Sequence, residues 1–198
     1  MAHQNLAWSL EHLDEFSEVA ALALYLLTAP ILGRAGVGPW PAATAEHALA
    51  ALLEEVLIDW LPTFALTDAF QHWVYAEAPA GVSVNEINAT WAALTARFTP
   101  WVDWSGLEAE RDAGWQRAWS PFLQPFYDLT YALAMVGALG VWRAARDDWD
   151  AAWQRYRTAL TLGATRSLPE LYAAAGAAWP FDRAAVGEVV ALLEATLA

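Results

Sequence analysis

Residues 115–142 read WQRAWSPFLQPFYDLTYALAMVGALGVW, a long apolar stretch rich in aromatic side chains. The span 122–142 approaches the length needed to cross a membrane. Gln124, Pro125 and Asp128 interrupt it, and polar or ionisable groups are expensive inside a bilayer. We therefore predict a buried central helix in this stretch, and no membrane span.

Helical periodicity continues on both sides of this stretch. In residues 44–61 the apolar side chains recur at steps of three and four, which places them on one face of a helix. These side chains are Leu49, Leu52, Leu53, Val56, Leu57, Trp60 and Leu61. Thr44 is the predicted N-cap and Pro62 the predicted end of this helix. No alternating strand pattern of useful length occurs, so we predict a single all-α domain spanning residues 1–198.

Short polar patterns predict where other helices begin. The segments SVNE at 83–86 and SGLE at 105–108 have the spacing of a capping box. The segment SLPE at 167–170 places a proline in a first helical turn. The acidic pair 147–148 suits the positive end of a helix dipole, and Asp182 suits the start of the last helix.

Composition narrows the possible function. The chain has 198 residues, of which 58% are hydrophobic, and a formal charge of −13. Such a charge disfavours nucleic acid as a partner, because phosphate binding needs a basic surface. Zero cysteines exclude disulfides, thiolate metal sites and cysteine nucleophiles. The N-terminal residues have neither a basic segment nor a continuous apolar core, so we expect no signal peptide and a cytoplasmic location.

Residues 115–142 resemble the C-terminal active-site segment of the M3 family of zinc oligopeptidases, the oligoendopeptidase F group. The matching positions are Trp115, Gln116, Phe122, Pro125, Phe126, Tyr127, Tyr131, Gly137, Ala138, Leu139 and Trp142. Four other segments resemble the same family: FSEVA at 16–20, DAFQHWVY at 68–75, VDWSGLE at 102–108 and the run 156–172. The matches are collinear over about residues 14–197. The resemblance implies an all-α, thermolysin-like half of a metallopeptidase, with its site in a deep channel.

The resemblance also implies a zinc site, which this sequence does not complete. In such enzymes an H-E-x-x-H helix supplies two histidine ligands and a general base, and a downstream Glu completes the set. Glu18 matches that third-ligand position, but H-E-x-x-H occurs nowhere in the chain. His12, Glu15 and Glu18 fall at three-residue steps, which we interpret as a solvated acidic face. We therefore predict no bound cofactor, zinc being the cofactor of the family.

Three polar positions depart from the family pattern. Ser120 occupies the position of the family's catalytic histidine, and Asp128 that of a tyrosine. Tyr25 stands where the family usually has a glutamate. Losing one donor to the oxyanion raises a barrier by about 3 kcal/mol, and a carboxylate would repel the developing negative charge. These departures predict a protein that is not active alone.

The remaining candidate residues suggest a ligand pocket. Tyr127 and Tyr131 match family tyrosines near the substrate, although packing would explain them equally well. Asp128, a carboxylate in an apolar helix, should face a cavity, a cation or water. We add His72, whose alternative role is a structural hydrogen bond, to this predicted pocket.

Three functions remain open from the sequence. The first is a catalytically degenerate relative of an M3 oligopeptidase that binds a peptide, a small molecule or a protein. The second is one part of a split or truncated zinc peptidase whose H-E-x-x-H helix comes from another chain. The third is a structural module that self-associates through an exposed apolar face. The partners expected from these functions are a peptide or small-molecule ligand, a partner chain, or a second copy in a homo-oligomer. We expect neither nucleic acid nor a membrane as a partner.

Overall fold

The computed structural model describes residues 14–181 and 183–198. Within these residues every regular element is a helix, which confirms the all-α prediction. The α-helices are α1 (Asp14–Leu32), α2 (Ala42–Glu55), α3 (Leu61–His72), α4 (Val84–Phe98), α5 (Glu108–Asp112), α6 (Ser120–Leu123), α7 (Tyr127–Asp147), α8 (Trp149–Leu162), α9 (Leu168–Ala175) and α10 (Arg183–Leu197). Short π-helical turns at Val56–Trp60 and Trp73–Glu77 stand before and after α3.

The chain divides into two compact units. Among the described residues, the terminal unit comprises 14–55, 133–181 and 183–198, and the middle unit comprises 56–132. The boundaries fall at the end of α2 and within α7. The prediction of one domain over residues 1–198 stays a prediction.

The terminal unit has a dense apolar core built on the second part of α7. All nine residues from 134 to 142 are buried. Leu139 is fully buried, as are Leu53 of α2, Tyr172 of α9 and Leu193 of α10. At Gly137 an added Cβ would lie 2.5 Å from the ring of Tyr172, so only glycine allows this close approach. The predicted buried helix is thus present here, but α7 begins only at Tyr127.

The middle unit has a smaller core, made largely of aromatic rings. Leu66 and Phe70 of α3 pack against Trp91 of α4, and the Phe70 and Trp91 rings meet edge to face at 5.0 Å. Trp115 packs on the same cluster, and its indole N–H donates a hydrogen bond to Asn88 Oδ1 at 2.8 Å. Aromatic pairs in this geometry stabilise a core beyond the area they bury.

The predicted helix at 44–61 is wrong at both ends. It begins at Ala42, upstream of Thr44, and Pro62 does not end it. The backbone remains helical at Trp60 and passes through a π-helical turn directly into α3. Because Pro62 lies in the first turn of α3, the amide it lacks is not needed for a regular bond of that helix.

The capping predictions have mixed outcomes. The capping box at Ser83 is confirmed, and so is the helix start at Ser167, which has a capping box as well. Asp148 caps α8 by accepting the backbone N–H of Ala151. The box at Ser105 is wrong, because the Ser105 hydroxyl donates to Asp103 at 2.6 Å and leaves α5 without a side-chain cap. The prediction for residue 182 lies outside the described residues.

One helix in the described part of the chain is long and apolar enough to cross a membrane. It is the segment Glu15–Leu32 of α1, judged by length and composition alone. A core helix passes the same test, and the buried side chains of this segment lie in the terminal unit's core. These are Phe16, Val19, Ala23, Leu26 and Leu27. The predicted absence of a membrane partner stays a prediction.

Candidate functional site

Helix α3 carries one side of the candidate site in the middle unit. Phe64, Asp68, Gln71 and His72 all lie on this helix, which has a π-helical turn at each end. Such turns insert an extra residue into a helix and are frequent at functional sites. They rotate the side chains of α3 relative to the flanking residues, which sets where these four groups point.

Ser120 and Asp128 form a direct pair. The Ser120 hydroxyl donates a hydrogen bond of 2.7 Å to Asp128 Oδ2, and Ser120 is buried. Ser120 opens the short helix α6 and Asp128 lies in the first turn of α7, so the intervening loop folds back to join them. A hydrogen bond to a carboxylate is among the stronger kinds, and it occupies the only proton this hydroxyl can donate.

Four aromatic rings form a chain beside Asp128. The Tyr127 and Tyr131 hydroxyls are 3.1 Å apart, and their rings meet edge to face at 5.2 Å. Phe64 stacks on Tyr131 at 5.9 Å, and Trp119 lies 5.7 Å from Tyr127. The two tyrosines are partly buried, so each combines an apolar ring with a polar hydroxyl group.

Asp68 is a second carboxylate in this cluster. Its Oδ2 lies 3.6 Å from His72 Nε2, and its Oδ1 is buried without a hydrogen-bond partner. Burial raises the pKa of Asp68, His72 opposes that rise, and the nearby Asp128 adds to it. A neighbouring carboxylate that raises the pKa of Asp68 favours a cation or a proton at this site.

Gln71 fixes the backbone at Phe126. Its buried Oε1 accepts the Phe126 N–H at 2.6 Å. Phe126 has a φ of 64°, and it is the non-glycine residue with positive φ in the described part of the chain. Such a conformation is costly for a bulky side chain and persists only where the surroundings enforce it. The ring of Phe126 is thereby held 5.2 Å from the ring of His72.

The structure brings together most of the residues predicted from the sequence. Tyr127, Asp128, Tyr131 and Ser120 lie in adjoining turns, and His72 joins them through Phe126 and Asp68. Whether they bind a ligand stays a prediction.

Other members of the cluster were not predicted from the sequence. Asp68 and Gln71 stand in the motif DAFQHWVY, where the four-residue spacing of Asp68 and His72 could have indicated the pair. Nothing in the sequence signals the positive φ of Phe126.

Glu18 lies on α1 in the terminal unit, where it is half-buried. No group of three or more His, Cys, Asp or Glu among the described residues is arranged to hold a metal ion. A catalytic zinc needs about three protein ligands, so the described residues do not fit that ion. His12 lies outside the described residues. The prediction that no cofactor is bound stays a prediction.

Two clefts lie away from this cluster. One of about 510 Å³ is mainly apolar and lies between α1 and α2, with Tyr25, Trp40 and Glu55 in its wall. Another of about 290 Å³ lies in the middle unit, lined by Thr99, Trp104 and Arg111 among others. Tyr25, where the family usually has glutamate, is therefore a lining residue of an apolar cleft.

No protein-family model and no curated protein matches this sequence. Two solved structures do. PZ peptidase A, solved with an inhibitor, is 26% identical, has a TM-score of 0.85, and aligns with 98% of this chain. An oligoendopeptidase F from Bacillus anthracis str. Ames is 24% identical, has a TM-score of 0.71, and aligns with 94% of this chain.

The chain spans about a third of the length of these two proteins, 34% of the first and 29% of the second. At 24% identity the second likeness shows the fold alone. The first extends over nearly all of this chain and agrees with the motifs found in the sequence. The predicted resemblance to the M3 family oligopeptidases is therefore confirmed by these two structural neighbours.

Proposed function

We propose that this chain is a catalytically degenerate relative of the M3 oligopeptidases that binds a peptide or small ligand in the cluster around Asp128. The pair of Ser120 and Asp128 carries this proposal. At the position of the family's histidine stands a buried hydroxyl whose proton is already donated to a carboxylate. Such a hydroxyl has no donor left for an oxyanion, and the adjacent carboxylate would repel one.

The same cluster has the features of a binding site. Ligand sites combine apolar and aromatic walls with a few polar groups that fix orientation. Here Tyr127, Tyr131 and Phe64 supply the walls, and Asp128 and Asp68 supply negative charge. A ligand with a protonated amine next to an apolar group suits this arrangement, because aromatic faces and carboxylates both attract cations.

A second candidate is favoured by the share of the relatives that the chain covers. It spans about a third of the two peptidases, so an H-E-x-x-H helix encoded elsewhere would make it part of a zinc peptidase. The Ser120 and Asp128 pair belongs to this chain in either case. The first candidate therefore remains the one that the geometry favours.

Metal content and ligand binding test the proposal. The purified, untagged chain should contain far less than one zinc per molecule by mass spectrometry. Ligand-observed NMR with the tripeptide Leu-Gly-Phe should detect binding, and Asp128→Asn should weaken it. Asp103→Asn is the matched control, because it removes a carboxylate of the same unit outside the cluster.

Two results would count against the proposal. One zinc per molecule together with release of shorter peptides would establish a peptidase. Equal binding of the tripeptide by the wild-type chain and by Asp128→Asn would show that the proposed pocket around Asp128 does not bind it.

A further inference from the structure

An exposed apolar surface lies next to the candidate site in the middle unit. We call it the aromatic ridge, and its exposed side chains are Val74, Tyr75, Trp119, Phe122, Leu123 and Phe126. Leu123 is 74% exposed and Phe122 is 58% exposed, although the two preceding residues of the same short helix are buried. Contiguous apolar surfaces of this kind are uncommon on monomers and mark interaction sites.

Internal contacts hold the ridge in place. The Tyr75 hydroxyl donates to the backbone carbonyl of Pro121 at 3.2 Å, and the Tyr75 ring lies 5.6 Å from Phe126. The hydrogen bond from the Phe126 N–H to Gln71 Oε1 holds Phe126 in its positive-φ conformation. A strained residue that presents a partly exposed ring is explained by binding better than by stability.

The negative charge around the ridge indicates which class of partner would bind there. The middle unit has nine carboxylates against three arginines, and the whole chain contains no lysine. Arg111 is paired with Asp112, and Arg97 lies over the ring of Phe98, so Arg117 is the remaining arginine of this unit. Asp68 contacts His72, whose ring lies against Phe126 of the ridge, and Asp128 is near Asp68. Glu77 lies on the π-helical turn that also carries Val74 and Tyr75 of the ridge.

A second copy of this chain is a poor occupant. It would bring the same net charge of −13 to the contact, and like charges oppose association. A positively charged segment, in contrast, would be attracted by the net negative charge of the middle unit. Apolar side chains in that segment would cover the rings, and its basic side chains would face the surrounding carboxylates.

We propose that the aromatic ridge docks an extended peptide segment in which arginine or lysine alternates with large apolar side chains. This inference rests on the proposed binding role and adds the class of partner. It concerns the exposed ridge, whereas the proposed pocket concerns the partly buried groups around Asp128.

Fluorescence anisotropy with labelled decapeptides tests the inference. The probe alternates arginine with leucine; one reference replaces every arginine by glutamate, and another replaces every leucine by serine. The first peptide should bind at least about tenfold more tightly than either reference, a difference of one decade in Kd. Its affinity should fall as salt is added, because screening weakens exposed charge pairs.

Ridge variants locate the contact. Phe122→Ser and Leu123→Ser should each weaken binding by about fivefold or more, as expected for apolar anchors. Both side chains are exposed, so the circular dichroism spectrum should not change. Leu107→Ser is the matched control, since Leu107 is an exposed leucine of the same unit outside the ridge, and it should bind like the wild type.

Several outcomes would overturn the inference. These are no binding of the arginine–leucine peptide, equal binding of the glutamate peptide, or equal losses in Leu123→Ser and Leu107→Ser. Self-association that Leu123→Ser abolishes would instead assign the ridge to a second copy. None of these results changes zinc content or the effect of Asp128→Asn on the tripeptide, so failure of the ridge is distinguishable from failure of the proposed pocket.

Discussion

The terminal and middle units use their apolar residues in different ways. In the terminal unit large side chains from several helices are fully buried, and a glycine lets α7 and Tyr172 approach closely. Both units expose some aromatic rings, Tyr25 and Phe181 among them in the terminal unit, but the middle unit combines a smaller core with two neighbouring carboxylates and a strained backbone position. Stable packing dominates the first unit, whereas the second departs from it at the residues that we assign to binding.

The largest effect should come from the buried leucine of α7. Leu139→Ala should lower the free energy of unfolding by about 3 kcal/mol, because it removes buried methyl groups and leaves a cavity. Leu123→Ala in the middle unit should change it by less than about 0.5 kcal/mol, since that side chain is exposed. Urea denaturation of both variants makes the comparison. Similar losses would show that the two leucines do not differ as described.

Gln71 should be the most sensitive polar residue of the middle unit. Gln71→Leu leaves the Phe126 N–H without its acceptor and should cost about 1–3 kcal/mol of unfolding free energy. It should also weaken binding of the arginine–leucine peptide, because Phe126 would no longer be held. Gln116→Leu, at an exposed glutamine of the same unit, is the control. The assignment would be wrong if both variants unfold at the same urea concentration.

The capping boxes offer one device present in both units. Ser83→Ala and Ser167→Ala should each lower the free energy of unfolding by about 1 kcal/mol. Ser105→Ala, at a serine that caps no helix, should have a smaller effect. Thermal denaturation at neutral pH measures all three.

These caps should also be pH-dependent. Hydrogen bonds from Ser83 and Ser167 lower the pKa of Glu86 and Glu170 below the ordinary value of 4.5. Their contribution is therefore complete above that value and is lost as the pH falls through the lowered pKa. Below it, the alanine variants should approach the wild type; a constant difference at every pH would rule out the carboxylates.

The smallest effect should be a gain in stability. Burial raises the pKa of Asp68 above the ordinary value of 3.8, so its ionised form disfavours folding at neutral pH. Asp68→Asn should therefore unfold at a slightly higher temperature than the wild type at pH 7. That advantage should shrink as the pH falls through the raised pKa and should vanish below 3.8. A variant less stable at pH 7 would mean that Asp68 serves the fold.

The sequence predicted more of the fold than of the site. Apolar periodicity and the motif resemblance predicted the helices, and the capping patterns predicted starts at Ser83 and Ser167. The predicted helix end at Pro62 was wrong because a proline in the first turn of a helix leaves that helix intact, here directly after a π-helical turn. The sequence indicated residues 127 and 131 because they match tyrosines of the family pattern, and residue 128 because it departs from that pattern. The Ser120 bond to Asp128 depends on a loop reversal, and the positive φ of Phe126 on tertiary contacts, which no local pattern encodes.

The central claim is that the segment around Ser120 and Asp128 binds peptides and does not cleave them. The most direct measurement is the mass of the tripeptide Leu-Gly-Phe, the probe of that pocket, after prolonged incubation with the zinc-supplemented chain. We predict that the peptide is recovered intact in the bound fraction. Recovery of shorter fragments that a zinc chelator prevents would contradict the claim.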